Sequence, residues 1–79
     1  MWVVVRDEQE NKIVHEASTD YVEGTQLPSK FRLVNDEGET CFEGYASVDS
    51  DFEPLEEYGD ENGCCSIEYW DEALGWVTL

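Results

Sequence analysis

The chain has 79 residues and carries 20 acidic against 4 basic side chains, a formal net charge of −16. That length makes one domain, residues 1–79, near the lower size at which a chain folds without staples. A hydrophobic content of 41% argues against an acidic disordered tail, and a field of this sign repels nucleic acid and anionic membrane while attracting basic partners.

The elements read as strands almost throughout. Trp2 to Arg6 is β-branched and aromatic, Glu8 to Asn11 is a polar turn, and Lys12 to Ala17 alternates, so these make a first hairpin. The opening apolar run is too short for a signal peptide or a membrane span, and a soluble cytoplasmic protein is expected. Ser18 to Ser29 is a connecting loop holding Gly24 and Pro28. The second hairpin pairs Lys30–Val34 with Glu39–Ala46 across a turn in which Gly38 supplies positive φ. Phe31 and Leu33 share one face, as do Phe42, Gly44 and Ala46, and Gly44 marks a bulge or a close crossing.

Val48 to Gly63 is turn-rich, with a short helix expected at Pro54 to Tyr58. Asp51 is placed to cap it, and Phe52, Leu55 and Tyr58 form one apolar stripe. A third hairpin, Cys65–Trp70 and Trp76–Leu79, closes the chain. The expected fold is all-β or β-dominated: about six antiparallel strands in three hairpins, forming one twisted sheet or a small barrel, with a short helix or turn near 52–58 over an edge or open end. Most of the ten aromatic residues should lie in the core.

Charge is distributed unevenly along this frame. The four bases, Arg6, Lys12, Lys30 and Arg32, all lie in the first 32 residues, whose net charge is −2. The remaining 47 residues hold 14 acids and no Lys or Arg. They are Asp36, Glu37, Glu39, Glu43, Asp49, Asp51, Glu53, Glu56, Glu57, Asp60, Glu61, Glu68, Asp71 and Glu72, and with Trp70 as an aromatic anchor they are the candidate partner-binding residues. Glu37, Glu39 and Glu43 have the same parity; on a regular strand their carboxylates would share a face at roughly 6.8 Å per two residues. That is about two phosphate steps of about 3.4 Å along one DNA strand. The competing explanation for such a surplus is a solvated face or adaptation to salt, which would spread acids evenly.

Other chemistries fare poorly. Asp49–Glu53 opens like a calcium loop, but Pro54 occupies the position that requires glycine and Asp60 the position of the bidentate glutamate. Cys41, Cys64, Cys65 and His15 lack a zinc-ligand spacing, so no metal or other cofactor is expected. The three cysteines are expected to be reduced and at least partly buried. His15 is the only histidine and lies on a strand, where a structural edge position suits it better than general-base work. No nucleophile elbow, phosphate loop, zinc-protease or dinucleotide motif is present, and so small a domain offers little depth for a substrate cleft, so an enzyme is not expected.

From Phe31 to Leu79, the pieces Asp36–Glu39, Phe42–Gly44, Phe52–Leu55, Asn62–Cys64 and Gly75–Leu79 resemble small acidic uncharacterised proteins of bacteria and their phages. In size and charge the chain also looks like phage anti-defence inhibitors such as anti-CRISPR and anti-restriction DNA mimics. The acidic charge and this likeness in size and charge together point to a small inhibitor that occupies the phosphate groove of a basic nucleic-acid-binding protein, and a monomer or small homo-oligomer of a bacterial or archaeal host is expected. An immunity protein or antitoxin against a basic nuclease uses the same physics. A non-inhibitory acidic interaction module is the third reading.

Overall fold

A computed structural model describes residues 1–79. Its strands are β1 Trp2–Asp7, β2 Lys12–Ala17, β3 Ser29–Val34, β4 Thr40–Ala46, β5 Ser66–Asp71 and β6 Gly75–Thr78. They form one six-stranded antiparallel sheet in the order β2-β1-β4-β3-β5-β6. The three expected hairpins are present, and the sheet is open rather than closed into a barrel. The hairpins do not follow one another in simple order: β1 joins β4, placing the second hairpin at the centre and the first and third at the flanks.

Each hairpin is closed by a short polar side chain at or just beyond the end of its first strand. Asp7 Oδ1 accepts from the backbone N–H groups of Gln9 and Glu10, both at 3.0 Å. Asn35 Oδ1 accepts from Glu37 and Glu39 at 3.0 and 2.9 Å, and Asp71 Oδ1 from Ala73 and Leu74 at 2.8 and 3.0 Å. These side chains satisfy turn donors that no strand partner reaches. Donation from Glu10, and to a lesser degree from Gln9, holds the Asp7 carboxyl below its usual value.

Alternation along the strands gives the sheet a covered and an open face. Trp2, Val4, Phe31, Leu33, Phe42, Ala46, Ile67 and Tyr69 are buried on the covered face, with Cys41 and Cys64 completing the core. A short helical segment lies over it, wound as a π-helix at Leu55–Gly59 and as a 3₁₀ turn at Asp60–Asn62. Leu55 and Tyr58 pack on the core, and the Tyr58 ring meets Phe42 edge-on at 5.0 Å between centroids. The expected stripe is corrected at its first member. The wide winding turns Pro54 fully inward and leaves Phe52 47% exposed. Asp51 does accept from the Glu53 N–H, at 2.9 Å, though it makes no side-chain cap on the π-helix itself.

Two further expectations change. Of the aromatic residues, only Trp2, Phe31, Phe42 and Tyr69 are fully buried, while Tyr45, Phe52 and Trp70 are exposed. The helical segment covers part of one face and the β2–β3 loop reaches only Val3, Val5 and Tyr45 on the other, so Tyr45 and Trp70 stay exposed there, while Phe52 lies outside the sheet before the helical segment. Cys41 and Cys64 are buried, whereas Cys65 is exposed because the neighbour of an inward-turned residue points away.

Gly44 sits mid-strand between Val4 of β1 and Phe31 of β3. A Cβ there would lie 2.1 Å from the Val3 carbonyl oxygen and 2.7 Å from the tip of the Phe31 ring. The ring therefore occupies the space a side chain would take, and β1 approaches β4 closely. Gly44→Ala should lower stability by about 1–3 kcal/mol, the usual cost of overpacking a filled core. A urea titration checks this: an unchanged midpoint would mean that β1 can step back without loss.

Candidate partner interface

The open face is organised by strand register into two rows. One row runs Arg6 on β1, Glu43 on β4, Arg32 on β3, Glu68 on β5 and Thr78 on β6. The other carries Val3, Tyr45 and Lys30, with Trp70 paired to Trp76 beyond them. Three of the four basic side chains of the chain thus stand on this face, beside exposed or half-exposed aromatic rings.

Arg32 is the hub of the charged row. Its Nε and Nη2 both donate to Glu68 Oε1, at 2.7 and 2.6 Å, and its guanidinium carbon lies 4.4 Å from the centroid of the Trp76 ring. Thr78 Oγ1 donates to the other Glu68 oxygen at 3.2 Å, and Trp76 meets Trp70 edge-on at 5.4 Å. A cation half-shielded by an aromatic face and a carboxylate is held more firmly than an ordinary surface pair. Glu68 is therefore engaged within the sheet.

Glu43 stands between Arg6 and Arg32 in register but forms an ion pair with neither. Arg6 turns to Glu8 and Asn11, and Arg32 to Glu68. Partial burial and, after it, the adjacent Glu8 carboxylate push the Glu43 carboxyl above its ordinary value, against Lys30 and Arg6. Glu37 and Glu39 lie elsewhere, which corrects the shared-face expectation. β4 begins at Thr40, Glu37 and Glu39 belong to the preceding turn, and a register shift between Leu33 and Val34 breaks the alternation around Cys41. The turn geometry set by Asn35 overrides strand parity there.

Of the fourteen acids after Leu33, eleven are exposed and take part in no ion pair: Asp36, Glu37, Glu39, Asp49, Glu53, Glu56, Glu57, Asp60, Glu61, Asp71 and Glu72. They fall into three groups. Glu53, Glu56, Glu57, Asp60 and Glu61 line the helical segment and its approach; Asp36, Glu37 and Glu39 sit in the β3–β4 turn at one end of the sheet. Asp71 and Glu72 are in the β5–β6 turn at the opposite end, with Asp49 in the connection after β4. None projects from the centre of the open face, so the acids are neither evenly spread nor gathered on one strand. Asp51 and Glu57 hold the Glu53 carboxyl above its ordinary value by like-charge repulsion.

The helical group borders a groove of about 340 Å³ against β2, in which Glu16, Glu57 and Glu61 surround Trp2 and Tyr58. Trp2 is 3% exposed, and its indole N–H donates to Glu57 Oε1 at 2.8 Å, which fixes one carboxylate at the rim. Sequence reasoning did not find this arrangement. Trp2 and Glu57 are 55 positions apart, and only the β1–β4 pairing brings them together.

The remaining titratable groups are structural. His15 is exposed on the β2 edge, with Nε2 3.0 Å from Glu23 and its ring edge-on to Tyr21. Burial, then the neighbouring Cys41, pushes the Cys64 thiol up to about 12, so it stays protonated and unreactive. Tyr69 donates its hydroxyl proton to the Asp51 carbonyl at 2.7 Å, and burial raises its pKa. No group of three or more His, Cys, Asp or Glu has metal-binding geometry, and no helix is long and apolar enough to cross a membrane.

Set against protein-family models, curated proteins and solved structures, the chain matches none.

The raised Glu43 carboxyl gives a test of which acids are structural. A carboxyl whose folded pKa exceeds its unfolded value contributes stability below the unfolded pKa, and that contribution is lost as pH rises through the folded one. Glu43→Gln should therefore raise the urea midpoint at pH 7, with the gain shrinking as the pH falls through the raised value toward 4.5. A loss of stability at pH 7 would instead show that attraction to Lys30 and Arg6 outweighs burial and Glu8.

Proposed function

We propose that this protein is a small acidic inhibitor that binds a basic nucleic-acid-binding protein by standing in for nucleic-acid phosphate. The observation that carries the reading is the set of eleven exposed, unpaired carboxylates on residues 36–72, with no cation among them. Holding so many like charges on a small sheet costs stability, and of the fourteen acids only Glu68 finds a cation within the chain. The exposed acids outnumber the chain's four basic side chains, and an external cationic partner would neutralise them.

The helical segment is the preferred contact. Five acids lie within residues 53–61 on a rigid support anchored by Leu55, Tyr58 and buried Pro54. The aromatic-floored groove at Glu16, Glu57 and Glu61 suits a lysine or arginine side chain of the partner. Charge would steer the encounter, and the few apolar contacts would set specificity. The most concrete form of the reading is phage anti-defence of the anti-CRISPR or anti-restriction kind.

The test is affinity capture from bacterial lysate at low salt, eluted by a salt gradient, with the variant Glu56→Lys, Glu57→Lys, Asp60→Lys, Glu61→Lys run in parallel. One basic nucleic-acid-binding protein should be retained and displaced by added DNA or RNA. At about 0.2–1 kcal/mol per exposed pair, the quadruple variant should bind it between about fourfold and several hundredfold more weakly. A smear of basic proteins released together at modest salt would remove the inhibitor reading.

A further inference from the structure

The two edges of the sheet are unlike. β2 carries Lys12, His15 and Glu16, with Glu23 drawn against His15, and charges of this kind discourage strand addition. β6 reads Gly75-Trp76-Val77-Thr78 and carries no charge. Its backbone orientation follows from the Leu79 N–H, which donates to the Ile67 carbonyl at 3.1 Å. Alternation then turns Gly75 and Val77 toward β5, and turns the N–H and C=O groups of Trp76 and Thr78 outward. Those outward groups have no partner within the chain.

An apolar strip runs beside this edge. Six strands at about 4.8 Å spacing make a sheet about 24 Å across, wider than the short helical segment can cover. That segment packs over β1, β4 and β3 through Tyr58 and Leu55, and β6 lies beyond its reach. Val77 and Leu79 therefore stay 37% and 39% exposed, with Leu74 at 76% and Trp70 at 48%. These four line a groove of about 310 Å³ together with Tyr69, Asp49, Ser50 and Asp71.

We propose that the outer edge of β6 takes an extended segment of a basic partner by strand addition. The segment would pair with the outward backbone groups of Trp76 and Thr78. Its apolar side chains would lie on Val77 and Leu79, and lysines or arginines at its end beside the β5–β6 turn would reach Asp49, Asp71 and Glu72, away from the face where Lys30 and Arg32 stand over Trp76. The occupant's charge follows from complementarity, since those three carboxylates flank the edge without a counter-ion. A second copy of this chain would bring another charge of −16 to the same edge, and that repulsion opposes self-pairing. The proposal rests on the reading of a basic partner for the sign of the charge; the hydrogen-bonding edge and the apolar strip stand apart from it.

The experiment titrates the full ¹⁵N-labelled chain with a capped peptide Val-Thr-Val-Lys-Lys, whose valines share one face and whose lysines lie at one end, followed by amide shifts. Saturable shifts should centre on Trp76 and Thr78. Thr78→Pro removes an outward N–H while leaving the ladder to β5 intact. It should raise Kd about tenfold, the worth of one hydrogen bond with its neighbouring contacts. Val77→Lys, at an exposed position, should weaken binding similarly and guards against misfolding of the proline variant. Glu10→Lys with Glu23→Lys, at the far β2 side of the sheet, should change Kd by less than about threefold, as remote surface charges do. Shifts confined to the helical segment, equal titration by a glutamate–valine peptide, or a concentration-dependent dimer abolished by Thr78→Pro would each overturn the proposal. None of these outcomes bears on whether lysate yields a nucleic-acid-binding protein, so the two readings can fail separately.

Discussion

Charge segregation is the constraint on which the rest of this structure depends. A 47-residue segment with 14 acids and no base has to fold beside a segment that holds every cation, and one ion pair, Arg32 with Glu68, joins the two. β4 lies between β1 and β3, so Glu43 stands in line with Arg6 and Arg32, and β5 joins on the far side of β3, so Glu68 reaches Arg32. If the third hairpin packed elsewhere, Arg32 would lose both its carboxylate and its aromatic cover from Trp76. Individual surface pairs contribute little, but a row threaded across five strands also selects register, because a slip by one residue would turn these charges into the core.

Beneath that row the apolar face does the main work of stability. Phe31, Leu33, Ile67 and Val4 are fully buried, and the absence of a side chain at Gly44 lets the Phe31 ring lie flat between β1 and β3. The same covered face receives the helical segment, and that packing holds five acids close together at the surface. Local repulsion within the group is visible in the raised Glu53 carboxyl. The acidic display and the core are thus coupled: Tyr58 and Leu55 hold the segment down, while its glutamates push one another outward.

The resulting molecule has differentiated surfaces. The open face is charge-paired and aromatic, the helical side and both sheet ends are acidic, and one edge is charged while the other is bare. A domain made acidic merely for solubility would not require this division. A protein that meets a cationic partner through its helical side, or through a strand laid along β6, would use it.

Much of the fold was legible in the sequence. Alternation in Phe31–Val34 and Phe42–Ala46 reports local burial, and Gly38, Asn35 and Asp71 report turn geometry, because these are properties of neighbouring residues, whereas on the β2 edge Ile13 stays exposed despite its alternation. The acidic surplus and the confinement of cations to the first 32 residues could also be counted directly. What the chain could not reveal is long-range. Parity suggested that Glu37, Glu39 and Glu43 act together, but a turn and a register shift separate them. The stripe suggested that Phe52 is buried, but π-winding turns Pro54 inward instead. The Trp2–Glu57 hydrogen bond, the Arg32–Trp76 stack and the bare β6 edge follow from strand order alone. Sequence periodicity encodes which face of an element is apolar, whereas the order in which elements meet is decided by competing long-range contacts, and those exist only once the chain has folded.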